Sequence, residues 1–462
     1  MTDLVVHPAE KPLEGSVPVP TDKSIGHRAL LFSALANGTS KISKFAGGED
    51  NVSTANALRA MGVRIDMSEI RHSGRAPGER AGGGRDVVVH GVGIFGLKAP
   101  AAPLDCGNSG TTMRLFCGLL SAQEFASTLV GDASLSGRPM MRVVKPLSMR
   151  GAKITGKPHP KKSGDVTAPL EIAGLKEGEH LGSLEYESPV ASAQVKSAIL
   201  ISGLYAHGAT YFREPLVSRD HTERMLTALG VPLRTTGSLV ELDPNGWRGV
   251  IDPLEITVPG DLSAAAFFVT AGQIIPGSRI TLREVGINPT RTGILEIVRD
   301  MGGAVGIDRQ HEESGEPVAD LHASASDLRG ARFGGEVVAR AIDEIPIACA
   351  LAARAHGVTE IADAGELRVK ESDRIAAMAR VLRAFGVSCE EVADGMTITG
   401  TQEKLKAVDV ESKGDHRIAM TAAVLALIAD GPSKIRDVDC VATSFPRFVG
   451  TLRALGARVD VV

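Results

Sequence analysis

One pattern recurs six times along this chain and constrains its fold more than any other feature. It is the end of an amphipathic helix, a glycine, then a short strand. It reads Leu58-Arg-Ala-Met-Gly62-Val, Leu147-Ser-Met-Arg-Gly151-Ala, Leu226-Thr-Ala-Leu-Gly230-Val, Val298-Arg-Asp-Met-Gly302-Gly, Leu382-Arg-Ala-Phe-Gly386-Val and Leu452-Arg-Ala-Leu-Gly456-Ala, with 70 to 89 residues between successive glycines. A glycine just past the last helical turn takes the left-handed conformation that closes a helix at little cost.

A second element alternates with the first: an almost wholly apolar helix, a turn and a β-branched strand. It spans 29–42, 198–211, 264–282, 347–361 and 419–435, with a looser copy over 115–129 that lacks the glycine. A helix apolar all round must be buried on every side. Each unit of about 75 residues therefore supplies one interior helix, one amphipathic helix and several short strands. At 462 residues the chain exceeds what one core sustains. Six units predict an α/β fold of two similar globular domains, each of three repeated units of sheet around buried helices. The break falls between units three and four, at Asp243-Pro-Asn-Gly-Trp-Arg-Gly and Val258-Pro-Gly. Residues 71–86, rich in Gly and Arg, read as a surface loop inside a unit.

The electrostatic anomaly lies at the helix starts. The partial positive charge of a helix N-terminus favours Asp or Glu, and a basic residue there forgoes ~0.3–1 kcal/mol. Here basic residues stand at seven predicted starts: Lys23 to Arg28, Asn108 to Arg114, Gly137-Arg138-Pro139, Arg219 to Glu223, Asn288 to Arg291, Arg368 to Arg374 and Asp415-His-Arg417. Pro139 is expected in the first helical turn, and Asp220 with Glu223 as a capping box. Seven such placements make sense if those ends surround oxyanions, with backbone N–H groups and cations acting together. Asp343-Glu344 and Glu371 are among the few carboxylates that interrupt this set, open equally to being caps or salt-bridge partners and to transferring protons beside the cations. His416 is the one histidine to single out, with a structural role equally open.

Other classes fall away. A net charge of −4 gives no global attraction to phosphate backbones or anionic membranes, and aromatics at 3% are too few to stack on single-stranded nucleic acid. No run approaches the ~20 apolar residues of a membrane span. No signal peptide is read at the N-terminus. Five scattered cysteines without metal-ligand spacing fit a reducing compartment, and the chain reads as cytoplasmic. Dinucleotide, Walker, GxSxG and HExxH motifs are absent.

From near residue 10 to its end the chain resembles the 5-enolpyruvylshikimate-3-phosphate synthases. The resemblance rests on Asp22-Lys-Ser-Ile-Gly-His-Arg28, Leu104-Asp-Cys-Gly-Asn-Ser-Gly-Thr-Thr-Met-Arg-Leu115, Gly131-Asp-Ala-Ser-Leu-Ser-Gly-Arg-Pro-Met140, Ala191-Ser-Ala-Gln-Val-Lys-Ser197, Leu367-Arg-Val-Lys-Glu-Ser-Asp-Arg374 and Asp415-His-Arg-Ile-Ala-Met420. It implies the enolpyruvyl transferase fold, an inside-out α/β barrel in two threefold domains (21–257, and 1–20 plus 258–462) with the active site in the cleft between them. It implies transfer of the enolpyruvyl group of phosphoenolpyruvate to the 5-hydroxyl of shikimate 3-phosphate. That step belongs to the shikimate pathway to chorismate and is a target of glyphosate.

Carried over residue by residue, Asp343, Glu371 and Lys23 look catalytic. Lys23, Ser24, Arg28, Ser192, Ala193, Gln194, Arg219, Asp343 and Lys370 look like contacts to shikimate 3-phosphate. Lys23, Asn108, Gly110, Arg114, Arg138, Gln194, Arg374 and Arg417 look like contacts to phosphoenolpyruvate. The resemblance implies no metal or organic cofactor, and the chain is expected to be a monomer acting on small molecules, without nucleic-acid or membrane partners.

Leu115 where one branch has Pro, Thr443 where it has Lys, and Arg219-Asp-His-Thr-Glu223 place the chain closer to the class II branch. The rival is UDP-N-acetylglucosamine enolpyruvyl transferase, a family that uses a mobile-loop cysteine. Here Cys117 falls in an apolar helix, where packing and a raised thiol pKa are expected. A silent anion-binding protein on the same scaffold is the reading from another class, and the intact Asp343 and Glu371 argue against it.

Overall fold

The computed structural model describes residues 2–68 and 84–462. Of the loop expected at 71–86, Arg85 and Asp86 belong to the strand Arg85–His90, and residues 71–83 lie outside the described residues. The described chain divides into two compact units, one of residues 23–68 and 84–258 and the other of 2–22 and 259–462.

The unit of residues 23–258 holds α1 (Lys23–Leu35), α2 (Glu49–Ala60), α3 (Gly110–Leu120), α4 (Met141–Met149), α5 (Ala193–Gly203) and α6 (His221–Ala228). It also holds three four-stranded sheets. In each sheet the strand after an interior helix lies parallel to one neighbour and antiparallel to another. Leu104–Asp105 runs parallel to Ser127–Val130 across α3, and Leu181–Glu187 to Ala206–Arg213 across α5. These are βαβ crossovers, each putting an apolar helix against its own sheet. For α1 the parallel partner of Thr39–Phe45 is not the preceding strand but Glu255–Thr257, from the far end of the unit.

The other unit contains α7 (Leu262–Ile274), α8 (Gly293–Asp300), α9 (Gly335–Arg340), α10 (Ile345–Arg354), α11 (Arg374–Ala384), α12 (His416–Ala426) and α13 (Phe448–Ala454), again with three four-stranded sheets. The same exchange appears here. Glu14–Pro18 is the parallel partner of Arg279–Gly286 across α7, and Leu4–Val6 lies between Ser433–Arg436 and Val459–Val461, antiparallel to both. The N-terminal strands thus complete sheets whose other strands lie hundreds of residues on.

Six helices are interior, as their lack of a polar face dictates: α1, α3, α5, α7, α10 and α12. Every residue of α7 is buried. The scarce phenylalanines concentrate where α7 meets the C-terminal segment. Phe268 packs on Phe445 and Phe448 with ring centroids 5.6 and 5.8 Å apart, and Phe267 on Phe448 at 6.1 Å. Such pairs add ~0.5–1.5 kcal/mol beyond their buried area. The six repeat glycines all have positive φ, from 72° at Gly230 to 107° at Gly151, as closure of α2, α4, α6, α8, α11 and α13 requires.

Two expected helix starts are corrected. Pro139 is not in a first turn. Leu135–Gly137 forms a 3-10 turn, Arg138 is extended, and α4 begins only at Met141, its first N–H groups satisfied by Asp165. The capping box does not form either. Asp220 makes no side-chain cap bond and instead takes Arg224 Nε at 2.8 Å, while Glu223 pairs with Lys196. A nearby cation attracts each carboxylate more strongly than a backbone amide does.

Candidate active site

In the unit of residues 23–258 the starts of three interior helices carry the predicted polar residues. Lys23 opens α1 and lies 2.9 Å from Asp50; its carbonyl accepts from Asn51. Ser24 follows it on the same turn. Arg28, one turn on, is buried. It donates to the Ser24 carbonyl at 2.9 Å, to Thr222 Oγ1 at 2.7 Å and to Ser197 Oγ at 2.6 Å, joining α1, α5 and α6. Its side chain is thus held by three helices.

Two guanidinium groups flank the start of α3. Ser109 caps it, accepting from Thr112 N–H. Gly110 is its first residue, and the space above the Gly110 Cα is bounded by two guanidinium groups. A Cβ built there would meet Arg114 Nη1 at 2.8 Å and Arg138 Nη1 at 3.0 Å. Arg114 is placed by Gln194 Oε1 at 2.6 Å, and Gln194 in turn donates to Thr111 at 2.9 Å. Arg138 is placed by Asn108 Oδ1 at 2.7 Å, and Asn108 by Asp132 at 2.7 Å. Two cations and the N–H groups of one helix end are an arrangement that favours negative charge. Ser192 caps α5, and Ala193 and Gln194 form its first turn. Arg219 stands just before α6.

In the other unit the remaining residues gather around one guanidinium. Arg374, the first residue of α11, is 1% exposed. Its Nε donates to Asp415 at 2.9 Å, Nη2 to Glu371 at 2.5 Å and Nη1 to Asp343 at 3.3 Å. Burial works against the charge on Arg374, but Asp415, Glu371 and Asp343 outweigh it and hold the guanidinium charged. Lys370 Nζ lies 3.5 Å from Asp343. Arg417, on the first turn of α12, approaches Glu344 at 4.0 Å, next in sequence to Asp343. Lys370, Glu371, Arg374 and Asp343 are therefore one cluster, with Arg417 beside it.

Not every basic helix start serves this purpose. Arg291 is buried against Asp22 and Asp261, and Arg368 pairs with Asp373 at 2.7 Å. Both are structural ion pairs. His416 is buried with Nε2 3.3 Å from Ser444 Oγ, a packing position. Sequence reading missed Asp415 as the anchor of Arg374 and Asp132 as that of Asn108. Both sit inside quoted motifs, but nothing in their spacing says which cation each will hold.

Cys117 lies fully inside α3, and burial pushes its thiol up to about 12. A neutral buried thiol is no nucleophile at pH 7, so Cys117→Ser is expected to leave kcat/KM within about threefold of wild type in steady-state assays.

A pair of units, each of three sheet-and-helix repeats and each presenting cations at helix starts, defines the class: an α/β protein of two threefold units. The family model "EPSP synthase (3-phosphoshikimate 1-carboxyvinyltransferase)" matches residues 8–452. The chain is 48% identical over 454 residues to the 3-phosphoshikimate 1-carboxyvinyltransferase of Geobacter sp. (strain M21), covering 98% of this chain and 99% of that protein. It is 46% identical over 446 residues to the enzyme of that name from Bacillus cytotoxicus, covering 96% and 99%. A solved EPSP synthase from Acinetobacter baumannii superposes with a TM-score of 0.83 at 42% identity, covering both chains fully. The chain belongs to the EPSP synthase family.

Proposed function

We propose that the chain transfers the enolpyruvyl group of phosphoenolpyruvate to the 5-hydroxyl of shikimate 3-phosphate, releasing phosphate. The observation that carries this reading is the presence of two chemistries in a chain that the family model matches over residues 8–452. Guanidinium groups converge on a helix start at Gly110, and two carboxylates, Asp343 and Glu371, share one guanidinium at Arg374. The first chemistry suits a phosphorylated carboxylate and the second suits proton transfer.

In this mechanism Asp343 takes the proton of the 5-hydroxyl as its oxygen bonds to C2 of phosphoenolpyruvate, and C3 gains a proton. Glu371, with Lys23 or Lys370 also proposed for this step, delivers that proton. From the tetrahedral intermediate C3 loses a proton, the double bond re-forms and the C2–O bond to phosphate breaks. Lys23, Ser24, Arg28, Ser192, Ala193, Gln194, Arg219, Asp343 and Lys370 hold shikimate 3-phosphate. Lys23, Asn108, Gly110, Arg114, Arg138, Gln194, Arg374 and Arg417 hold phosphoenolpyruvate. The proposed contacts come from both units. The cations stabilise charge that develops on the donor's oxygens, in a setting that excludes water.

Leu115 and Thr443 support placement nearer the class II branch, and the enzyme is proposed to act as a cytoplasmic monomer without metal or organic cofactor. A phosphate-release assay tests the activity. Release is expected only with both substrates present, with one new enolpyruvyl ether by mass spectrometry. Folded protein that releases no phosphate from the pair overturns the reading.

A further inference from the structure

The third repeat of the unit of residues 23–258 buries charges that the proposed reaction does not use. Lys196 lies on α5, two residues after Gln194, and is 1% exposed. Its ammonium is 2.7 Å from Glu214 and 2.7 Å from Glu223, both also buried. Burying one cation with two carboxylates is a poor way to gain stability, since apolar residues of like volume do as well or better. The geometry around Glu214 points to another use.

Glu214 follows the strand Ala206–Arg213 and begins a segment, 214–220, with neither helix nor strand. One carboxylate oxygen of Glu214 accepts from Ser218 N–H at 2.8 Å and the other from the Ser218 hydroxyl at 2.7 Å. Lys196 Nζ donates to the Ser218 carbonyl at 3.1 Å. Every polar group of Ser218 is thus tied to the buried pair, and the next residue is Arg219. One position further along α5, the Ser197 hydroxyl meets Arg28 Nη2 at 2.6 Å and Thr222 at 2.7 Å.

We infer that Lys196 and Glu214 are positioning residues that fix Arg219 for the phosphate of the acceptor substrate. A loop with no ladder of its own opens easily unless it is pinned. Pinning by a carboxylate and an ammonium that are themselves immobile leaves Arg219 little freedom to lose on binding. The same two turns of α5 carry Ser192, Gln194 and the hydroxyl that holds Arg28, so one helix sets the acceptor side from behind.

This rests on the acceptor role proposed for Arg219, and the test separates the two. In Glu214→Gln and Ser218→Ala, KM for shikimate 3-phosphate is expected to rise about fivefold or more while KM for phosphoenolpyruvate stays within about twofold. Tryptic cleavage after Arg219, followed by mass spectrometry, is expected to speed up about fivefold or more relative to the other sites. Ser218→Ala removes no buried charge and keeps the test valid if Glu214→Gln does not fold. Folded variants whose two KM values move together or not at all, or whose Arg219 cleavage is no faster, overturn the inference. Cleavage needs no turnover, so faster cleavage in a chain inactive toward shikimate 3-phosphate upholds the pinning and sinks the acceptor's identity.

Discussion

Glu371→Gln is expected to lower kcat by about 10²–10⁴ while leaving KM for phosphoenolpyruvate within about fivefold. The substitution keeps the shape of the side chain and an oxygen able to accept from Arg374 Nη2, which the carboxylate takes at 2.5 Å. What disappears is the ability to take up and return a proton at C3. A loss of that size corresponds to ~2.7–5.4 kcal/mol of barrier. Asp343→Asn should fall in the same range, because its carboxylate, 3.5 Å from Lys370 Nζ, is the proposed acceptor of the hydroxyl proton. Both are tested further by running the reaction in deuterated water. Exchange of solvent deuterium into C3 of recovered phosphoenolpyruvate should fall with either variant, because C3 gains its proton only as the hydroxyl oxygen bonds to C2. Near-normal kcat in both variants would remove their proton-transfer roles.

The fold was legible because its rules are local and repeated. Gly62 and its five counterparts each close a helix with positive φ, and α7, apolar on every side, can only lie inside a unit. The interleaving of these signals was enough to give an α/β fold of repeated sheet-and-helix units. What no local rule could give was the exchange of strands, in which Glu14–Pro18 serves the sheet of α7 and Glu255–Thr257 that of α1. That pairing is set by chain path, and the strands are too short to name their partners.

At the site, residue types were readable and partners were not. Basic helix starts pointed to anions, yet Arg291 sits against Asp22 and Asp261 and Arg368 against Asp373. A cation near a helix start tells only that it needs negative charge, and a protein carboxylate answers that need as well as a ligand does. The capping box failed for the same reason. Lys196, twenty-seven residues before Glu223, drew that side chain away from the helix end.

Arg374→Met is expected to cost about 3–5 kcal/mol of unfolding free energy at pH 7, because it strips the cation from a buried carboxylate. Asp415 is fully buried. Burial alone would push its carboxyl up, but Arg374 outweighs burial and holds it below its ordinary value. In the wild-type protein Asp415 therefore contributes stability that is present in full above its unfolded value of ~3.9 and lost as pH falls through the folded value. Without Arg374 the burial effect prevails and the folded value moves above the unfolded one, which reverses the sign. Asp415 then costs least below the unfolded value, and stability declines as pH rises through the folded value. Urea unfolding of both proteins between pH 4 and 8 should show their difference widest near neutrality and shrinking toward pH 4. A gap that stays constant across that range, or that widens in acid, would mean that Asp415 is not the charge Arg374 neutralises.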